Sequence, residues 1–135
     1  MLTNKFLNNF FTDMKREDET YMYYLYVRRM SSSLEDFKLG KGLLLADVSK
    51  VICFTNKRLI LVHVRPFGGL DSYSMKTISM EDIKLIHVKD GFSGVSIKVD
   101  LKENKGSMRL NPNSFVLGLS NHKKNLKELI KLYKQ

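Results

Sequence analysis

The spacing of apolar positions changes several times along this chain, and each change marks an element. Residues 95–101 are the plainest case: Val95, Ile97, Val99 and Leu101 alternate with Ser96, Lys98 and Asp100, and Lys102 extends the polar set. A period of two is that of a strand with one buried and one wet face. Upstream, Val51-Ile52-Cys53-Phe54 and Arg58-Leu59-Ile60-Leu61-Val62-His63-Val64 are two apolar runs joined by Thr55-Asn56-Lys57, which predicts a β-hairpin. Pro66 with Gly68-Gly69 ends the second run. Tyr73–Ser79 and Ile83–Lys89 are expected to be further strands, followed by a turn at Asp90-Gly91 and Gly94. Asn104–Gly106 turns the chain again, and Met108 and Leu110 continue the buried set as far as Asn111-Pro112-Asn113.

Both ends have helical spacing instead. Phe6, Leu7, Phe10, Phe11 and Met14 fall on one stripe, with Thr3 placed to cap a short amphipathic helix. In the last segment Leu126, Leu129, Ile130 and Tyr133 form an apolar stripe, Ser120 is the expected cap, and Lys123, Lys127, Lys131 and Lys134 align beside the stripe with Lys124 next to them. Between the first helix and the hairpin, Thr20–Val27 reads as a strand rich in aromatics. Its two alternating sets, Tyr21/Tyr23/Leu25/Val27 and Met22/Tyr24/Tyr26, are both largely apolar, so both faces are expected to be covered, and a helix stays open as the alternative. Ser31-Ser32-Ser33 reads as a loop within one domain.

A chain of 135 residues is one domain's worth, so the expected organisation is an N-terminal helix over 1–16 and a β-rich domain with its C-terminal helix over 17–135. The longest apolar runs, such as Leu43–Ala46 and Leu59–Val62, fall far short of the roughly 20 residues of a membrane-spanning helix. Lys5, Asn8 and Asn9 interrupt any secretory-type apolar region, and a cytoplasmic location is the expectation. Cys53 is the single cysteine and has no partner for an internal disulfide.

Charge changes this picture more than composition does. The formal net charge is +9, and it is uneven: residues 1–50 hold eight Lys and Arg against seven Asp and Glu, residues 51–135 fifteen against seven. Such a field draws anionic surfaces, whether lipid headgroups, nucleic acid or an acidic protein.

Catalytic chemistry is not evident in the motifs. His63, His87 and His122 stand far apart and no His-Glu-x-x-His, paired Cys-x-x-Cys or Asp-rich calcium loop occurs, so neither a metal site nor a cofactor is expected, although His63 and His87 could meet on adjacent strands. Gly68-Gly69 lacks the Lys-Ser/Thr of a phosphate loop, Gly-x-Ser-x-Gly is absent, and Glu81-Asp82 reads as a solvated turn. No catalytic residue is assigned, and the chain is read as a non-enzyme.

The order of a tyrosine-rich strand, Gly40-Lys41-Gly42, the Phe54-Thr55-Asn56-Lys57-Arg58-Leu59-Ile60-Leu61-Val62 hairpin, a Gly-containing loop, further hairpins and one C-terminal helix resembles the bacterial pleckstrin-homology (PH-like) domains over roughly residues 18–134. The resemblance implies a mainly β fold with flanking helices: a bent antiparallel barrel of about seven strands, its open corner plugged by Leu126, Leu129, Ile130 and Tyr133. It also implies strand edges and a rim that can accept a peptide or another subunit. Phosphoinositide-type recognition is not supported, because Arg28, Arg29, Lys38 and Lys41 lack the converging Lys and Lys/Arg-x-Arg spacing and have Glu35 and Asp36 among them; the tryptophan usual in the last helix of that branch is absent too.

The expected function is therefore that of a binding or scaffold module acting on an unidentified protein partner. Self-association is one form of it, through Phe6, Phe10, Phe11, Tyr21, Tyr23, Tyr24 and Tyr26, so that removing residues 1–14 is expected to shift a dimer towards monomer. The alternative is peripheral attachment to anionic membrane through Lys123, Lys124, Lys127, Lys131 and Lys134. Nucleic-acid binding ranks third: a pI of 9.7 favours it, but no nucleic-acid-binding motif accompanies the charge.

Overall fold

The computed structural model describes residues 2–28, 30–32, 49–92, 94–113 and 116–134. Its strands are β1 (Met22–Val27), β2 (Met30–Ser32), β3 (Lys50–Thr55), β4 (Arg58–Val64), β5 (Leu70–Ser79), β6 (Ile83–Gly91), β7 (Gly94–Leu101) and β8 (Ser107–Leu110), and its helices are α1 (Asn4–Thr12) and α2 (Ser120–Tyr133). They form two antiparallel four-stranded sheets, ordered β1-β3-β4-β5 and β2-β8-β7-β6. The expected hairpin is β3–β4, with Val51 opposite Val62 and Phe54 opposite Leu59.

One core lies between the sheets. Alternation sends Leu25 and Val27 of β1, Ile52 and Phe54 of β3, and Leu59 and Leu61 of β4 into it from one side. Ile86 and Val88 of β6, Ile97, Val99 and Leu101 of β7, and Met108 and Leu110 of β8 meet them from the other. Leu126 and Leu129 of α2 close the gap, with Ile130 and Tyr133 packed at the margin, as expected for the plug.

A second apolar cluster lies on the far face of the first sheet. Tyr24, Val51, Cys53, Ile60, Val62 and Leu70 point away from the core and are covered by Leu7 and Phe11 of α1 and by Leu119. That double cover is why β3 and the first part of β4 are buried residue after residue and read as continuous apolar runs.

Residues 22–27 are strand, as expected, which closes the helical alternative. Three expectations change. Ser31 and Ser32 belong to β2 rather than to a loop, because their backbones pair with Arg109 and Met108 of β8 and make an eighth strand. Ser120 is the first residue of α2 and no side chain of its own segment caps that helix. The acceptor comes from α1 instead, where Asn4 Oδ1 takes the Asn121 N–H at 3.2 Å and Asn4 Nδ2 donates to Ser120 Oγ at 2.7 Å. Finally, His63 lies in β4 of the first sheet and His87 in β6 of the second, so they are not on adjacent strands. Thr3 does cap α1, accepting from the Phe6 N–H at 3.0 Å. Arg29, Ser33, Glu35, Asp36, Lys38 and the Gly40-Lys41-Gly42 and Leu43–Ala46 segments lie outside the described residues.

Candidate interaction surfaces

The Thr-Asn-Lys-Arg turn between β3 and β4 is a structural clasp. Thr55 Oγ1 accepts from the amides of Lys57 and Arg58 at 3.0 and 2.9 Å, which fixes the two-residue turn. Asn56 reaches across to the segment before β1, accepting from Thr20 N–H at 2.8 Å and donating to Asp18 O at 3.0 Å. Arg58 turns inward, donating through Nε to Glu19 Oε2 at 3.0 Å, through Nη2 to Glu19 Oε1 at 3.1 Å, and through Nη2 to Met14 O at 2.7 Å. Glu19 also accepts from Arg16 N–H at 2.8 Å. Burial alone would raise the Glu19 pKa, but hydrogen bonds from Arg58, Thr55 and the Arg16 amide, with the Arg58 charge, hold it down at about 2. The motif that carries the family resemblance thus spends its polar groups internally. The sequence marks Glu17-Asp18-Glu19 only as an acidic patch; the signal available was an arginine that opens the apolar run Leu59–Val62.

The outer edge of β1 is closed by α2. His122 Nδ1 accepts the Tyr26 N–H at 3.1 Å, its other ring nitrogen lies 2.6 Å from Asn113 O, and Asn125 Nδ2 donates to Tyr24 O at 3.0 Å. Two buried polar side chains thereby satisfy the backbone of an edge strand, so a peptide cannot extend the first sheet there.

The candidate self-association residues divide. Phe11 and Tyr24 are buried and stack on each other with ring centroids 5.7 Å apart, and Tyr24 Oη donates to Asn8 Oδ1 and accepts from Asn121 Nδ2. The apolar stripe of α1 is therefore largely covered by its own sheet. Phe10 is half-buried against Phe11, and Phe6 remains 39% exposed. Tyr21 and Tyr23 stack at 5.0 Å, Tyr21 Oη shares a 2.7 Å hydrogen bond with Tyr133 Oη, and Tyr26 Oη donates to Ser49 Oγ at 3.0 Å.

All five candidate lysines of α2 are exposed. At 100° per residue Lys123, Lys124, Lys127, Lys131 and Lys134 fall on one arc opposite the buried His122, Asn125, Leu126 and Leu129. Glu128, 3.6 Å from Lys131, is the one acid in the helix.

A groove of about 770 Å³ opens beside the far face of the first sheet, lined by Leu2, Tyr26, Ser49, the Val64–Gly68 turn, Val116, Leu117 and Leu119. Phe67 and Leu117 stand on it at 99% and 87% exposure, each on a turn with no apolar cover. This surface escapes sequence reading because its two walls lie some 50 residues apart in the chain.

No three His, Cys, Asp or Glu side chains converge as a metal site among the described residues, and none of their helices is long and apolar enough to cross a membrane. Two sheets round one core, closed by a C-terminal helix, define a PH-like module. A family model for the bacterial PH domain matches residues 14–134, and the chain belongs to that family; α1 lies outside the matched segment. No curated protein matches the chain.

Proposed function

We propose that the protein is a non-enzymatic binding module that acts through protein–protein contacts, with the Phe67–Leu117 groove as its contact surface. The observation that carries this reading is the pair of large apolar side chains, almost wholly in water, on the walls of one concave surface. Isolated apolar residues on a surface are ordinary, but two that border one groove mark a place where a partner removes them from solvent. The test compares affinity capture by the parent chain and by the Phe67→Ser/Leu117→Ser double variant, followed by titration of the captured protein. A partner held by the parent and lost by a variant that melts with it supports the reading. A partner set indifferent to both residues overturns it.

A second reading, attachment to anionic membrane, draws on the outward arc of five lysines. Reversing Lys123, Lys127 and Lys131 to Glu takes the formal charge from +9 to +3 and leaves the buried face of α2 unchanged. If the arc meets a membrane, binding to phosphatidylserine-containing vesicles falls sharply and its salt dependence flattens. Vesicle binding equal to that of the parent removes this reading.

A further inference from the structure

The second sheet has a far face too, and no helix of the described chain covers it. Because Ile86, Val88, Ile97, Val99, Met108 and Leu110 point into the core, their neighbours His87, Lys98 and Arg109 share the opposite face. They are also in register: His87 lies opposite Lys98, and Lys98 opposite Arg109, so the three cross the sheet in one transverse row spanning about 10 Å. Lys89 stands two residues along β6 on the same face. The row continues onto α2, since Lys134 makes a parallel bridge to Val88, between His87 and Lys89, and Lys131 lies one turn back. Lys98 lies 3.8 Å from Asp100, two residues along β7 on the same face, and Lys131 3.6 Å from Glu128, so these two cations have an acid beside them; Arg109, Lys89 and Lys134 have no ion pair among the described residues.

We infer that Lys131, Lys134, Lys89, Lys98 and Arg109, with the His87 ring lying between them, form one cationic band that binds an acidic, extended segment of a partner protein. The inference deepens the protein-binding reading, on which it rests, by naming the chemistry of one partner surface. Charge complementarity selects an anion, and shape selects among anions. The outward sides of α2 and of the second sheet radiate from a single core in different directions, so the band turns a corner at β6. A flat bilayer meets one side of that corner at a time, whereas an extended chain follows both. Single-stranded nucleic acid would gain from a series of stacking aromatics along the band, and the exposed strand positions of this face, Leu85, Lys89, Lys98 and Arg109, include none; Phe92, on the β6–β7 turn at the end of the sheet, is a single exposed ring rather than a series.

The test uses fluorescence anisotropy of a labelled oligo-glutamate peptide interspersed with serine, against its glutamine counterpart, on the full chain. The parent binds the acidic peptide and not the neutral one, and Lys98→Glu/Arg109→Glu weakens binding by roughly tenfold or more. Lys5→Glu/Lys76→Glu removes the same charge from α1 and β5 and leaves affinity close to that of the parent. Equal losses in both double variants mean that net charge alone attracts the peptide, and overturn the band. So does binding to phosphatidylserine vesicles or to a single-stranded oligonucleotide with none to the peptide. Melting curves confirm that each variant is folded; if Lys98→Glu/Arg109→Glu does not fold, Lys98→Gln/Arg109→Gln replaces it with the same expected direction. A parent chain that does not bind the acidic peptide while its Phe67–Leu117 partner is still captured refutes this inference and leaves the broader reading intact.

Discussion

Arg58 grips Glu19 with two hydrogen bonds, at 3.0 and 3.1 Å, 39 residues apart in sequence and almost wholly out of water. The pair joins the β3–β4 turn to the segment that leads from α1 into β1, and the third Arg58 bond, to Met14 O, ties in the end of that segment.

Breaking one side of the pair should therefore be costly. Arg58→Met leaves a carboxylate buried without its cation, and a loss of about 3 to 5 kcal/mol is expected from urea unfolding. The Arg58→Met/Glu19→Leu double variant should recover part of it, because no charge remains stranded. The pH dependence follows from the lowered pKa of Glu19. Its contribution is fully present above the ordinary value of 4.5 and is lost as pH falls towards about 2. Glu19→Gln should flatten that part of the stability profile, and an acid limb identical to that of the parent would show that other carboxylates set it.

Ile97 and Ser96 test the alternation of β7. Ile97 is fully buried between the sheets and Ser96 is half-buried on the far face. Ile97→Ala should cost about 2 to 5 kcal/mol, while Ser96→Ala should move the urea midpoint little. Similar midpoints would contradict the face.

The difference between β7 and the β3–β4 hairpin explains how far the sequence could be read. Val95–Leu101 has one wet face, so burial leaves a period of two in the text of the chain. In β3 and β4 both faces are covered, by the core and by α1, and the same rule gives an unbroken apolar run that identifies a strand but not which residues face which way. Ser31 and Ser32 carry no pattern; they are strand because β8, some 75 residues later, supplies their hydrogen bonds. Glu19 and Arg58, Asn4 and Asn121, Phe67 and Leu117, or Lys98 and Arg109 acquire their meaning in the same way, from register and packing between distant segments. The exposure of the α2 lysines was legible because helical periodicity is local.

His122 gives a second pH effect, of the same sign. Burial lowers its pKa, against the opposing hydrogen bond to Asn113 O, and the neutral ring is the one that can accept from Tyr26 N–H. A depressed histidine pKa contributes stability that is present above its ordinary value of 6.5 and is lost as pH falls below it. Melting at pH 8 and pH 5 should separate the parent from His122→Gln, the parent losing more on acidification. Equal losses would mean that His122 does not titrate in this range.

Removal of α1 has an expected outcome opposite to that of its apolar stripe taken alone. As an unpartnered surface, Phe6, Phe10 and Phe11 would hold two chains together, and their loss would give monomers. In the structure Leu7 and Phe11 are already buried on Tyr24, Val51, Cys53, Ile60 and Val62, so taking α1 away uncovers that sheet face rather than removing a sticky one. A chain lacking residues 1–12 keeps Met14 O for Arg58 and should associate or aggregate more than the parent, which light scattering will register. Cys53 provides an independent readout. Its thiol is buried and its pKa is raised, chiefly by that burial with Glu19 adding and Arg58 opposing, so in the parent it should be inert to thiol reagents at neutral pH. In the shortened chain it should react. The full-length Leu7→Ala/Phe11→Ala variant should show an intermediate rate, because the helix stays attached through Asn4, Asn8 and the clasp while its apolar contact is cut back. A shortened chain that stays monomeric with Cys53 still protected would mean that another segment takes over the cover, and α1 would lose its role as the lid of the first sheet.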